Sequence, residues 1–512
     1  MKLKNKSKIT IKRYSIILVA FGIIGIVTLL ISKAATPTIT IDPETGTVAG
    51  NASVVSNVAD ISGTGAVRFG AGSTARRFFS PEASWNKTVA QLGSSTVLNG
   101  STNLAGESFG QRLWNYGGGP QFRIDGTQQK TGGGFTVDFK LWSVPVYDIK
   151  TATPGLTARV YQTGDLIQNG FSDPTGRLMN GRSIPWNYDW IPKDWLYTPP
   201  DIFSPVRAPG DDTIAIVNYD TGEVIEIWRV AENRINCSLN LNNAFNSYGI
   251  SFDSGNASHL CIGGMNLYGG PNDTPGYDLW SAKEGKTRSL RGMGINKLAL
   301  ITRADEVKAG KIEHALSLTI AGVMFGPDMT TPETNYTEAG AGVSKGFYLP
   351  PATRLENKNP SSLGYGGVGN PPVTDAERSK TIPSGMRFAL NITNGDIDAW
   401  LLSRQTTARS KNDSSWDLDK PKSKTARVFA VALRDYGAVS AETGGNGIGI
   451  ETDGLEGPQA ATWKTLGIEK DPTAYCCTTG DDNFNRFNYP NRDLLDGLIT
   501  KDRLYVVNPP AL

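Results

Sequence analysis

Short runs in which apolar and polar residues alternate recur along most of the chain after residue 78. Apolar side chains at every second position are typical of strands that turn one face toward a core. Such runs, bounded by Gly, Pro, Asn or Asp, predict strands at 145–149, 157–162, 213–220, 224–230, 297–303, 314–325, 386–392 and 503–507. The short turn around Gly222 predicts that two of these strands, 213–220 and 224–230, form a hairpin.

Helical patterns are few. The clearest is Lys424–Tyr436, where apolar residues recur at helical spacing and Gly437 supplies a C-terminal stop. Short helices are predicted at Asp305–Ala309 and Arg492–Leu498. Many strands with a few outer helices predict a mainly β body at 78–507, built as a β-sandwich or jelly roll. Polar or Pro- and Gly-rich composition predicts long loops at 327–384 and 405–423, either disordered or inserted.

The N-terminus carries a membrane signal. Residues 14–32 form an apolar run of 19 positions without a charge, roughly 28 Å long as a helix and close to the thickness of a hydrocarbon core. Basic residues precede this run, so the positive-inside rule places residues 1–13 in the cytoplasm and the body outside. We expect a single-pass cell-membrane protein; a cleaved signal peptide is the alternative.

The charge of the body differs from that of the whole chain. Seven of the 51 Lys and Arg residues lie in the first 33 positions, which leaves 44 against 49 Asp and Glu. No basic field remains, so nucleic acid is not expected as a partner. The chain has only two histidines, which excludes a multi-histidine metal site. No nucleotide-binding glycine motif is present, and we expect neither a metal nor a cofactor.

Cysteine usage agrees with export, because disulfides persist outside the cytoplasm. Of the four cysteines, Cys237 and Cys261 would close the shortest simple loop, so they are the predicted disulfide. Cys476 and Cys477 are adjacent, and a bridge between neighbours is strained.

Residues 36–70 predict a short β stalk, and Gly70–Arg77 has the composition of a linker. The stalk resembles the opening strands of carbohydrate-binding β-sandwich modules of secreted enzymes. The matching positions are Glu44, Gly46, Gly50 to Val55 and Ser62 to Phe69. This resemblance implies a β add-on with or without a sugar site.

The main body resembles an uncharacterised family of large exported bacterial β-rich proteins. Its most specific block is Gly310-Lys311-Ile312-Glu313-His314-Ala315-Leu316, preceded by Asp305-Glu306-Val307. Further matching positions are Phe79-Ser80-Pro81, Ser84-Trp85-Asn86, Val144 to Tyr147, Asp212, Asp220-Thr221-Gly222, Glu226-Ile227-Trp228, Pro383 to Phe388 and Leu433 to Gly437. The resemblance implies one continuous β-rich unit and carries no reaction with it.

The strand around Glu226 offers one candidate for chemistry. Alternation places Ile225 and Ile227 on one face, and Glu226 and Trp228 on the other. A carboxylate beside a tryptophan suits a cleft that stacks a sugar ring and protonates a glycosidic oxygen. Asp212 is the candidate second carboxylate, while the competing interpretation of Glu226 is an ordinary solvated residue.

A second candidate is His314, on the apolar face of the predicted strand 314–325. It could act as a general base with Tyr436 and Arg387 in a polysaccharide lyase, where the arginine would hold a uronate carboxylate. The competing interpretation is a hydrogen-bonded core histidine.

The stretch 186–197 is dense in aromatic residues. Its candidate binding residues, together with the tryptophan of the 224–230 strand, are Trp186, Tyr188, Trp190, Trp195 and Trp228. On a loop they would form a sugar-stacking platform or partner surface, and beneath a loop they would form a satellite core. The leading hypothesis is a membrane-anchored surface protein that binds glycan or envelope polymer. The alternatives are an extracellular polysaccharide-cleaving enzyme and an adhesin or structural surface protein.

Overall fold

A computed structural model of the protein describes residues 52–55, 66–69, 77–92, 96–98, 113–114, 135–139, 143–162, 182–191, 213–228, 258–262, 264–269, 273, 276–283, 291, 293–320, 335–336, 346–347, 349–352, 382, 384–443, 448–469 and 494–507. The chain divides into two compact units, 1–74 and 75–512. In the first unit, strands β1 (Ala52–Val55) and β2 (Ala66–Phe69) pair antiparallel. These strands lie within the region predicted as a β stalk.

The second unit contains the other strands and the α-helices of four or more residues that lie within the described ranges. Its strands are β3 (Thr96–Leu98), β4 (Phe135–Asp138), β5 (Val146–Asp148), β6 (Thr157–Gln162), β7 (Arg182–Pro185), β8 (Ile214–Asn218), β9 (Glu223–Trp228), β10 (Ser258–Ile262), β11 (Gly264–Tyr268), β12 (Leu316–Ile320), β13 (Asn335–Tyr336), β14 (Gly346–Phe347), β15 (Arg387–Leu390), β16 (Ala438–Thr443), β17 (Ile448–Glu451) and β18 (Leu504–Val507). Its α-helices are α1 (Lys297–Leu300), α2 (Ala304–Lys308), α3 (Asn394–Arg409), α4 (Pro421–Asp435) and α5 (Ala460–Thr465).

A seven-stranded mixed sheet forms the centre of the second unit. Its strand order is β3-β18-β15-β16-β12-β17-β4. The pairs β12–β16 and β17–β4 are parallel, and the other neighbours are antiparallel. Parallel neighbours need crossover connections, and the chain between the parallel strands β12 and β16 contains α3 and α4. Helix α4 packs against β15, so the sheet has a helical cover.

A four-stranded sheet, β11-β9-β8-β5, is buried on both faces. Ile214 and Ile216 of β8, with Ile225 and Ile227 of β9, pack into one cluster with β6, β7 and the residues that follow β7. The intervening side chains of β8 and β9 face the main core, which also receives β12, β15, β16 and β17. The predicted hairpin of β8 and β9 is present and antiparallel. Alternation predicted the two faces correctly, and both are covered by protein.

The helix predicted at Lys424–Tyr436 is confirmed as α4, which begins three residues earlier with Pro421 in its first turn. Gly437 follows with φ +70°, and a Cβ there would approach the carbonyl oxygen of Phe388, so a side chain would be strained. The predicted short helix at Asp305–Ala309 corresponds to α2. The chain from 494 to 498 forms turns instead of the predicted helix.

Two other predictions are wrong. The region 405–423, predicted as a loop, contains the end of α3, a series of turns and the start of α4. Trp416 is buried among these turns, and Asp417 accepts a hydrogen bond from the guanidinium of Arg409, so tertiary contacts order a polar sequence. The predicted strand 297–303 is instead the single turn α1, whose N-terminal Leu298 amide is capped by the side chain of Asn296.

The prediction of strands gathered into sheets is confirmed, but helices are as abundant as strands in the described part of the chain. The parallel pairs of the central sheet also differ from a purely antiparallel jelly roll. Within the described ranges, no helix is both long and apolar enough to cross a membrane. The anchor predicted at 14–32 lies outside those ranges.

Candidate functional site

Glu226 lies in the middle of β9, on the face that meets the main core, and its side chain is fully buried. Its Oε1 is 3.2 Å from the backbone N–H of Lys297 and 3.5 Å from the hydroxyl of Tyr268. Tyr268 in turn donates a hydrogen bond to Asn296 at 2.9 Å. Trp228 shares the face of Glu226 and is partly exposed at the end of the strand. The Glu226 carboxylate therefore lies within the core.

Next to Glu226, five buried side chains form what we call the Arg291 network: Arg291, Lys297, Ser317, Glu442 and Glu451. The guanidinium of Arg291 pairs with both carboxylates, at 2.9 Å from Glu442 and in closer contact with Glu451. The ammonium of Lys297 is 2.6 Å from Glu442 and 3.5 Å from Glu451. Ser317 donates a hydrogen bond of 2.7 Å to Glu451.

The Arg291 network is balanced, with two cations and two carboxylates. Burial opposes ionisation of Glu451, but Arg291 and Lys297 outweigh it and lower its pKa to about 2. The central side chains are almost fully enclosed. We therefore describe the network as a structural junction between β12, β16, β17 and α1.

His314 lies just before β12, which begins at Leu316, so it is outside the strand in which it was predicted. Its Nδ1 is 2.8 Å from the carbonyl oxygen of Ala315, and its Nε2 is 3.2 Å from Oε2 of Glu306. Glu306 also accepts a hydrogen bond of 2.6 Å from Arg303. Burial opposes ionisation of Glu306, but Arg303 and His314 outweigh it and lower its pKa to about 2.

Arg387 and Tyr436 have partners other than His314. The guanidinium of Arg387 donates to three backbone carbonyls, those of Ser84 at 2.9 Å, Lys87 at 2.8 Å and Tyr436 at 2.5 Å. Tyr436 caps the C-terminus of α4, and burial raises the pKa of its hydroxyl. In the described contacts, Arg387 fastens the segment 84–87 to the end of α4.

The aromatic segment that follows β7 lies mostly inside the protein. Trp186 and Trp190 are buried in the cluster below the four-stranded sheet, with ring centroids 5.4 Å apart. Tyr188 is 38% exposed. The described part of this segment thus has the geometry of a satellite core with one exposed tyrosine. Asp212, Trp195 and Cys237 lie outside the described residues, and Cys261 lies in β10.

A different group of side chains meets at the β8–β9 turn, and we call it the aromatic–acid site: Phe78, Tyr219, Trp280, Arg303 and Asp305. Backbone hydrogen bonds assemble it from distant segments. The amide of Leu279 donates to the carbonyl of Gly222 at 2.9 Å, and the amide of Phe79 donates to Leu279 at 2.5 Å. Gly222 has φ +77°, and a Cβ there would lie 2.9 Å from the Trp280 ring. Glycine is therefore needed for this close approach.

Three aromatic rings form one side of the site. The ring centroids of Tyr219 and Trp280 are 6.2 Å apart, with 36° between their planes. Phe78 is 6.3 Å from Tyr219 and 5.9 Å from Trp280. Phe78 is buried, whereas Tyr219 and Trp280 are partly exposed. Phe78 is therefore the enclosed ring of the group, and solvent reaches part of Tyr219 and of Trp280.

Charged groups form the other side. The guanidinium carbon of Arg303 lies 3.8 Å from the centre of the Phe78 ring, and its Nη1 is 3.5 Å from Oδ2 of Asp305, whose side chain is 34% exposed. Burial raises the pKa of Asp305, although Arg303 acts in the opposite direction. Burial also raises the pKa of Tyr219 to about 12; Arg303 opposes this shift, while Asp305, Asp148 and Asp453 add to it.

A buried acid supports the site from behind. Asp453 accepts hydrogen bonds from the indole N–H of Trp463 at 2.7 Å and from the amide of Ala304 at 3.2 Å. Burial raises its pKa well above the ordinary value. Asp453 thereby fixes the start of α2, the helix that carries Asp305.

Sequence reasoning missed the aromatic–acid site. Its members come from around residues 78, 219, 280 and 303, and no local motif joins them. In the sequence, the block containing Asp305 stands out only through the family resemblance. Among the described residues, no group of three or more His, Cys, Asp or Glu side chains is arranged to hold a metal ion. No protein-family model, curated protein or solved structure matches the chain.

Proposed function

We propose that this is an exported, membrane-anchored surface protein that binds glycan at the aromatic–acid site. The observation that carries the proposal is the partly exposed ring pair of Tyr219 and Trp280. Both rings pack against Phe78, over which lies the Arg303 guanidinium that pairs with Asp305. Aromatic faces pack against the C–H faces of sugars, and a small number of fixed polar groups orients the hydroxyls.

The surroundings of Glu226 and Arg387, two other candidate residues, favour the aromatic–acid site as the place where glycan binds. Glu226 is enclosed in the core, and Arg387 is engaged by three carbonyls. The partners of both side chains are groups of the protein itself. A residue that binds substrate would instead need to be accessible to it. The membrane anchor remains supported by the apolar run 14–32 and its basic flank.

Binding is tested with the full-length protein in detergent, against a panel of immobilised polysaccharides. We expect Tyr219→Ala and Trp280→Ala each to weaken retention about tenfold, which corresponds to ~1.4 kcal/mol. Trp280→Phe should restore most of the binding, because it keeps an aromatic face. Tyr188→Ala is the matched control, since it removes an exposed tyrosine from another part of the unit.

Loss of binding in the Tyr188 control to the same degree, or full retention in both site variants, would exclude the aromatic–acid site.

The anchor is tested separately by fractionation. The protein should remain with the membranes and its body should be accessible to protease from outside. A soluble product beginning near Ala35 would show that residues 14–32 are a cleaved signal.

Cleavage of the bound glycan is the second candidate function, favoured by the contrast between two neighbouring carboxyls. The pKa of Asp305 is raised, whereas that of Glu306 is lowered to about 2, and such divergence is typical of acid–base sites. Asp305 is partly exposed and its pKa is raised, so it is the candidate general acid for a glycosidic oxygen; hydrolysis would also need a second carboxylate ~5–9 Å away. Release of reducing ends by the wild type, abolished in Asp305→Asn, would favour an enzyme; their absence across the panel would favour a binder.

A further inference from the structure

We propose that the aromatic–acid site selects glycans that carry free, protonated amino groups, such as deacetylated hexosamine polymers, over neutral and anionic ones. This inference rests on the proposed glycan-binding function and names its ligand class. Its basis is the way charge is distributed among the accessible and inaccessible groups around the rings.

The described cations near the site are already engaged. The ammonium of Lys150 lies 2.8 Å from both carboxylate oxygens of Asp220, at the β8–β9 turn. The guanidinium of Arg303 is buried against Phe78 and shared between Glu306, at 2.6 Å, and Asp305, at 3.5 Å. A uronate or phosphate group would therefore have to displace a carboxylate from one of these cations, so its own desolvation would be only partly compensated.

The carboxylates are more accessible than the cation that they surround. The side chain of Asp305 is 34% exposed, whereas that of Arg303 is 7% exposed. Oδ1 of Asp305 accepts the backbone N–H of Glu306 at 2.9 Å, and its Oδ2 makes a long contact of 3.5 Å with Arg303. Asp278, on the adjacent turn beside Gly222, accepts hydrogen bonds from the amides of Trp280 and Ser281, so its carboxylate is held within that turn. Asp305 is therefore the more exposed charge of its pair with Arg303, and that charge is negative.

The rings favour the same kind of ligand. The face of an aromatic ring carries negative electrostatic potential and attracts a cation, with tryptophan and tyrosine better than phenylalanine. The two partly exposed rings are Tyr219 and Trp280. An ammonium group also has three donors, so it can contact a ring face and a carboxylate together. N-acetylation of the sugar leaves its ring unchanged but removes this charge.

The test compares three soluble probes by calorimetry on the full-length protein in detergent at pH 6.5: a glucosamine oligomer, its N-acetylated counterpart of equal length, and an oligogalacturonate. We expect the amino oligomer to bind about tenfold tighter than the acetylated one and the uronate not to bind. Raising NaCl from 50 to 500 mM should reduce the preference, because salt screens exposed charges.

Asp305→Asn should lower the preference for the amino oligomer at least threefold while leaving affinity for the acetylated oligomer unchanged. Asp419→Asn, an exposed acid on the α3–α4 turns, is the matched control and should keep the preference. Thermal melts of both variants check that they fold.

Equal binding of the two hexosamine oligomers, or preferred binding of the uronate, would overturn the inference while glycan binding at the rings stands. An unchanged preference in Asp305→Asn would also overturn it. If no probe binds and no polysaccharide of the panel is retained, the proposed function and this inference both fail.

Discussion

The Arg291 network and the aromatic–acid site are built from the same kinds of charged side chain, but they differ in balance and access. In the network, two cations face two carboxylates and all are enclosed. At the aromatic–acid site, the buried Arg303 lies over the Phe78 ring and pairs with two carboxyls of different exposure, and the two rings that pack on Phe78 are partly exposed. In a balanced and enclosed cluster, every charge is paired within the protein. In an unbalanced and open cluster, a charged group can interact with a ligand. This difference is the reason that we propose binding at the aromatic–acid site and a structural role for the Arg291 network.

Neutralising one member of the network should produce the largest loss of stability. Glu451→Gln removes a carboxylate that Arg291 and Lys297 both contact. Breaking a buried ion pair in this way costs about 3–5 kcal/mol, because the partner charge stays buried. Urea unfolding should show this loss, while the control Glu313→Gln, at an exposed pair with Lys311, should change stability little. Equal effects of the two changes would contradict the distinction.

Acid should weaken the Arg291 network and the Arg303–Glu306 pair next to the aromatic–acid site in the same pH window. Glu451 and Glu306 have pKa values of about 2 in the fold, against an ordinary value of 4.5. Their contribution is complete above 4.5 and is lost as the pH falls toward 2, up to about 3 kcal/mol for each group. The free energy of unfolding, measured between pH 5.5 and 2.5, should fall steeply in the wild type and less steeply in Glu306→Gln. Parallel curves would show that Glu306 does not titrate as described.

The contribution of Asp453 to stability should change with pH in the opposite direction. Its pKa is raised in the fold above the ordinary 3.8, so it destabilises the folded state increasingly as the pH rises above that value. Asp453→Asn keeps an acceptor for Trp463 and should be neutral or slightly stabilising at pH 7. Asp453→Ala leaves the indole N–H without this partner and should cost about 1–3 kcal/mol. Similar losses in both variants would show that the carboxylate is ionised in the fold.

The smallest stability effect is expected at Lys150, whose pair with Asp220 is largely exposed. Lys150→Ala should leave the melting temperature unchanged, because exposed pairs contribute little. It frees the carboxylate of Asp220, the residue that follows Tyr219 in the chain, so the preference for the amino oligomer over the acetylated one should rise. A fall in that preference would show that Lys150 itself takes part in binding.

Local pattern was sufficient for several elements of this protein. Alternation identified the hairpin of β8 and β9 and the face that each residue occupies, because successive side chains in a strand point to opposite sides. Helical spacing and Gly437 identified α4 and its end. The apolar run 14–32 predicted an exported, membrane-anchored protein, and the low histidine count excluded a multi-histidine metal site. Each of these properties depends on residues close together in the chain.

The tertiary structure decided what covers those faces and which loops meet. Alternation placed Glu226 opposite Ile225 and Ile227, but only the packing of a second layer on each side of the sheet made it a core residue. The aromatic–acid site needs Phe78, Tyr219, Trp280 and Arg303 together, and backbone hydrogen bonds across 57 and 200 residues of sequence assemble the segments that hold the rings. Contacts across such separations depend on the sum of the packing elsewhere, so no local period or motif records them.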